Sequence, residues 1–65
     1  MKINLNGKQM DSQSKTLMAL IREQSFDPDG LIAEVNFEII KQNAWQDISI
    51  KEGDHIELLS LVGGG

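Results

Sequence analysis

The chain has 65 residues, 40% of them hydrophobic and 25% charged, which is room for one small domain with a thin core and no deep substrate pocket. With no cysteine and a single histidine, His55, it cannot form a disulfide, a thiolate metal site, or a zinc site or Ser-His-Asp triad from ordinary neighbours, so it is a poor candidate for an enzyme. Six basic against ten acidic residues give a net charge of −4 and a pI near 4.6, the opposite sign to a nucleic-acid footprint, so no nucleic-acid partner is expected.

The N-terminal residues predict a β-hairpin. Ile3 and Leu5 alternate with Lys2, Asn4 and Asn6, the period-two pattern of a half-buried strand. Asn6-Gly7 supplies two residues that tolerate positive φ in a type I′ turn. A two-residue loop sets Leu5 opposite Lys8 and Ile3 opposite Met10. A helix of about ten residues follows, capped by Ser14 or Thr16. Leu17, Leu20 and Ile21 form its apolar stripe with Met18 alongside, and Arg22, Glu23 and Gln24 face water. Too short to stand alone, it must lean on a sheet. Asp27-Pro28-Asp29-Gly30 is read as the turn that ends it, because the rest of a twelve-residue calcium loop is missing.

Leu31 to Asn36 reads as a strand with Leu31, Ala33 and Val35 on one face. A bend at Asn36-Phe37 leads to a very short strand at Ile39-Ile40. Asn43 to Asp47 is a helical turn in this reading, with Trp45 closing one edge of the core. Gly53-Asp54 turns into the last strand, Ile56 to Val62, and His55 sits in that turn as a surface residue. The order β-β-α-β-β-turn-β favours an α+β sandwich of one helix on one sheet. If Ile56 and Leu58 face the helix, Leu59 and Leu61 lie on the other side, with no second helix to cover them. That exposure marks either a partner surface or a face covered by the Trp45 loop or a second copy.

Charge is distributed unevenly. Residues 1–22 carry four basic side chains and one acid, a local +3, and residues 23–65 carry two basic and nine acidic ones, a local −7. An acidic stretch of that kind either steers the protein onto a basic partner surface or only keeps it soluble. The N-terminus lacks the apolar run of a signal peptide and no apolar stretch approaches a membrane span, so no membrane partner is expected and the cytoplasm is the default compartment.

The sequence closes on Gly63-Gly64-Gly65, half of its six glycines. Without Cβ atoms, such a tail enters a channel too narrow for any side chain, and three residues reach about 10 Å when extended. It can carry a terminal carboxylate into another protein's active site while the body, residues 1–62, stays outside. A carboxylate resists nucleophiles until it gains a good leaving group, and an acyl-adenylate made with ATP is the usual solution. This chain has no phosphate-cradling loop, so that step falls to a partner. The bland alternative is an inert, frayed end.

The whole chain resembles the ThiS sulfur carriers of thiamine biosynthesis, a ubiquitin-like β-grasp family. The resemblance rests on the Ile3-Asn4-Leu5-Asn6-Gly7 hairpin, the Thr16-to-Ile21 helix start, Val35-Asn36 with Glu38-Ile39-Ile40, Trp45, Gly53-Asp54-His55-Ile56-Glu57 and the ending Val62-Gly63-Gly64-Gly65. Two departures, Phe37 where the family often has glycine and Ile40-Lys41 without the proline common there, both fall in one bend. The resemblance implies a mixed sheet of four to five strands on one helix, with a flexible glycine tail. It implies an E1-like adenylyltransferase of the ThiF type, using ATP and magnesium, that activates Gly65, and a carrier that binds no cofactor itself. Sulfur from a cysteine desulfurase route then makes a Gly65 thiocarboxylate, which a ThiG-type thiazole synthase consumes. Gly63 and Gly64 thread the partner's channel, and Leu59, Leu61 and Phe37 dock the body. Rival clients are molybdopterin synthesis, cysteine synthesis and tRNA thiolation. Rival classes are a ubiquitin-like protein modifier joined through Gly65 to lysines and a passive interaction module.

Overall fold

The computed structural model describes residues 1–61. A five-stranded sheet has the order β2-β1-β5-β3-β4, where β1 is Lys2–Leu5, β2 Lys8–Asp11, β3 Leu31–Val35, β4 Glu38–Ile40 and β5 His55–Ser60. The central strand β5 runs parallel to β1 and antiparallel to β3; the outer pairs are antiparallel hairpins. This is the α+β, β-grasp arrangement expected from the sequence, with all five strands in one sheet.

Both hairpins turn on two residues that begin with asparagine. Asn6 (φ 51°) and Gly7 (φ 83°) place Leu5 opposite Lys8 and Ile3 opposite Met10, as the sequence predicts. Asn36 (φ 51°) and Phe37 (φ 71°) do the same between Val35 and Glu38. The second turn keeps the left-handed geometry without glycine, and Phe37 bears the strain that a bulky side chain meets there.

The helix α1, Leu17–Glu23, has seven residues rather than ten, and Thr16 is its cap: its Oγ1 accepts from the Ala19 amide at 3.1 Å. Two other amides of the first turn find tertiary partners, Leu17 on the Ile48 carbonyl at 2.9 Å and Met18 on the Trp45 carbonyl at 3.0 Å. The helix ends before the Asp-Pro-Asp-Gly turn. Ser25 takes φ 63°, its amide donates to the Arg22 carbonyl and the Phe26 amide donates to the Ile21 carbonyl. That is a Schellman ending with serine where glycine is usual, and Gln24 is half-buried instead of facing water.

Leu17, Leu20 and Ile21 of α1 pack on Ile3, Leu31, Ala33, Ile56 and Leu58 of the sheet, and Met10 and Met18 fill the margins. Trp45 closes the core edge as expected, with its ring Nε1 donating to the Ile40 carbonyl at 2.8 Å. The helical turn before it is a 3-10 turn at Gln42–Ala44, slightly earlier than the 43–47 predicted. The last strand begins one residue early, so His55 belongs to β5 and not to the turn, and it ends at Ser60, where Leu31 at the start of β3 is its last partner.

Candidate functional site

The helix covers one face of the sheet. On the other, alternation along β5 brings His55, Glu57 and Leu59 outward, with Leu61 just beyond the strand. Register then fixes their neighbours: Ile32 opposes Leu59, Glu34 opposes Glu57, and Ile39 opposes Glu34 from β4. Phe37, Ile39, Leu59 and Leu61 are 76%, 69%, 59% and 63% exposed. Exposed apolar residues gathered along one sheet face are the kind of patch that marks interaction surfaces on small domains. Between Leu59, Ile32 and Ile39 lies a shallow depression of about 420 Å³, also bordered by Asn6, Glu34 and Glu57.

Phe37 stands at one end of this face, its ring stacked on that of His55 with centroids 5.5 Å apart. Leu61 stands at the other end, its amide donating to the Gly30 carbonyl at 2.7 Å. The expected docking residues Phe37, Leu59 and Leu61 thus mark out the length of β5, from its first residue to the point where the chain leaves the sheet. Val62, the expected strand end, and the tail Gly63, Gly64 and Gly65 lie outside the described residues, as does the expected boundary between body and tail.

The central strand is held by two side chains that sequence reasoning missed. Asn6 Oδ1 accepts from the Leu58 amide at 2.8 Å while its Nδ2 donates to the Leu58 carbonyl at 3.2 Å. On the other side, Asn36 Oδ1 accepts from the His55 amide at 3.0 Å and its Nδ2 donates to Asp54 Oδ1 at 3.1 Å. The buried Asp54 also accepts from the Lys51 amide through Oδ2 at 2.8 Å. Both asparagines are first residues of the two tight turns, so each one bends its own hairpin and clips β5. The repeated Asn at that turn position is the one sequence signal for this.

Among the described residues, no group of three or more His, Asp or Glu side chains is placed to hold a metal ion, and no helix is long and apolar enough to cross a membrane. The described body presents an apolar strip with Glu34 and Glu57 at its centre, ending at Leu61.

A five-stranded mixed sheet with one helix on one face and exposed apolar side chains on the other defines a ubiquitin-like β-grasp domain. The chain belongs to the ThiS family, a family of ubiquitin-like sulfur carriers, whose model matches residues 3–65. Among solved structures it is similar to the crystal structure of the thiamine biosynthesis protein ThiS from Geobacter metallireducens, with a TM-score of 0.84 and 25% identity over the whole of both chains. A solution structure of a thiamine biosynthesis protein from the same organism gives 0.81 and 26%, covering all of this chain and 88% of the other. Two curated relatives are both named thiazole synthase, from Paramagnetospirillum magneticum at 32% identity and Magnetococcus marinus at 30%, each matched over the whole of this chain. The chain spans only 20% of the length of each of these relatives.

Proposed function

We propose that the chain carries sulfur for assembly of the thiamine thiazole ring, with Gly65 as the residue that bears it. The observation that carries this reading is the family match, which runs through residue 65 and so includes the three glycines. An E1-like adenylyltransferase attacks the α-phosphate of ATP with the Gly65 carboxylate, releasing pyrophosphate and leaving an acyl-adenylate; magnesium serves that enzyme's ATP. Persulfide sulfur from a cysteine desulfurase route then displaces AMP to give an acyl disulfide, and a thiol reductant cleaves its S–S bond, becoming a disulfide itself and leaving the thiocarboxylate. Thiazole synthase takes the sulfur, and the carboxylate returns for another round. The two relatives named thiazole synthase support a thiazole synthase as acceptor over the molybdopterin client. In them, the stretch resembling this chain is a minor part of a longer protein, as expected if carrier and acceptor work side by side.

The body serves as a handle in this scheme. Leu59, Leu61 and Phe37 dock it on the activating enzyme, and Gly63 and Gly64 pass through a channel that a side chain would block.

The test is intact-mass measurement after incubation with the adenylyltransferase, ATP, magnesium and a sulfide source. The expected product has one oxygen replaced by sulfur. Deletion of Gly65 abolishes that gain and leaves the unfolding midpoint unchanged, because among the described residues every buried core residue lies before position 59. A truncated protein that still accepts sulfur overturns the assignment. Conjugates of high molecular weight in cells, joined through Gly65, replace it with the modifier reading.

A further inference from the structure

We propose that Asn6 is a modification site: when β5 releases its side chain, the Asn6-Gly7 pair deamidates spontaneously, and the acid formed no longer holds the strand. The reagent is water, no enzyme is required, and the inference does not rest on the carrier reading.

An asparagine followed by glycine is open to attack by its own backbone. The Gly7 nitrogen gives up its proton and bonds to Asn6 Cγ, and the side-chain nitrogen takes that proton and leaves as ammonia, closing a succinimide ring. Water then opens the ring at either carbonyl, giving aspartate or isoaspartate at position 6. One water enters, one ammonia departs, and nothing is oxidised or reduced. Glycine matters here because a side chain next to that nitrogen would hinder its approach. Asn6 and Gly7 are both exposed, so water reaches the turn.

The fold withholds both reacting groups. The Leu58 amide and carbonyl engage Asn6 Oδ1 and Nδ2 at 2.8 and 3.2 Å, which holds the side-chain amide on β5. The Asn6 amide donates to the Ile56 carbonyl at 2.9 Å, and the Gly7 amide donates to Asn4 Oδ1 at 3.1 Å, so the proton that must leave is itself bonded. The reaction therefore waits on local opening of the β1–β5 pairing. Its product favours the open state. A carboxylate at position 6 still accepts from the Leu58 amide, but the oxygen that replaces Nδ2 meets the Leu58 carbonyl with no hydrogen to share. It also adds an acid to the depression that Glu34 and Glu57 border. Asn36 is the built-in control: it has the same φ of 51° and also clips β5, through the His55 amide, but Phe37 follows it and shields the attacking nitrogen.

The test keeps the full chain folded or in concentrated urea, in the same mildly alkaline buffer, and follows tryptic peptides by mass. The Ile3–Lys8 peptide carries both Asn4 and Asn6, which fragmentation separates. In urea, Asn6 shows the mass gain of an amide-to-acid exchange well ahead of Asn4 and Asn36. In the folded protein its conversion is at least about tenfold slower. Protein converted in urea, returned to buffer and separated by anion exchange through its added charge melts below the unconverted protein, as does the Asn6→Asp variant. Equal rates in the two states show that the clip on Leu58 does not guard the site, and overturn the inference. An Asn6 that converts in urea no faster than Asn36 overturns it as well. So does a converted protein with an unchanged melting temperature, because the amide is then not what holds β5. The rate comparison needs no variant, so it decides even where Asn6→Asp fails to fold.

Discussion

The two faces of β5 carry the same kind of residue to opposite ends. Ile56 and Leu58, at 0% and 4% exposure, are locked under the helix, while Leu59 is a neighbour in the chain and lies open. Hydrophobicity does not separate them; the placement of α1 and Trp45 does. The covered face holds the protein together, and the open one is surplus to that task. An apolar side chain that folding does not require is available for recognition, and this sheet keeps several in one row.

That contrast is breakable by substitution. The largest effect is expected at Trp45, where Trp45→Ala removes the biggest buried side chain and its bond to the Ile40 carbonyl. It costs about 3–5 kcal/mol. A domain of this size has a total stability of roughly 3–10 kcal/mol, so urea unfolding followed by circular dichroism will show a protein near or past its limit.

The adjacent leucines give the sharpest comparison. Leu58→Ala costs about 2–5 kcal/mol by denaturant unfolding, whereas Leu59→Ala stays within about 0.5 kcal/mol. Calorimetric titration against the activating enzyme reverses the order for Leu59, with a loss of more than about 1 kcal/mol of binding. Equal stability losses at both positions would mean the open face is covered in the free protein.

Smaller effects fall on the devices that set the two faces. Thr16→Ala removes the side-chain acceptor for the Ala19 amide and lowers stability by about 1 kcal/mol. Gly7→Ala costs a similar amount, about 1 kcal/mol, purely through its φ of 83°, because a Cβ there meets nothing within 4 Å. Phe37→Gly has the smallest effect on stability, under about 0.5 kcal/mol, since relief of strain is set against a looser unfolded chain and a lost stack on His55. Its effect appears in docking, measured by the same titration, which separates an aromatic retained for contact from one retained for the fold.

Much of this was legible in the amino-acid order because the relevant physics is local. Asn6-Gly7 fixed a register that pairs Ile3 with Met10, and the spacing of Leu17, Leu20 and Ile21 defined the buried stripe of α1. Alternation along β5 was enough to set Leu59 apart from Leu58. The misses have one local cause and several that lie in partner strands. Serine gives no warning of a left-handed helix ending, so the end at Ser25 was placed too late. The last strand was drawn too long because its length is set by a partner, β3, which begins only at Leu31. The clips from Asn6 and Asn36, and the meeting of Glu34 with Glu57, depend on strand order, which periodicity does not encode. Glycine content marked the tail as the reactive end, and that reading belongs to chemistry and resemblance rather than to the described body.

The hydrogen bond from the Leu61 amide to the Gly30 carbonyl is the last fixed point of the described chain. Gly65 is four residues beyond Leu61, so their Cα atoms lie no more than about 14 Å apart whatever path is taken. Under the carrier reading proposed above, that length sets a ruler for an enzyme working on Gly65: its reacting atoms must sit within this radius of the sheet's rim, and inserting glycines there would blunt the alignment between the docked body and the chemistry.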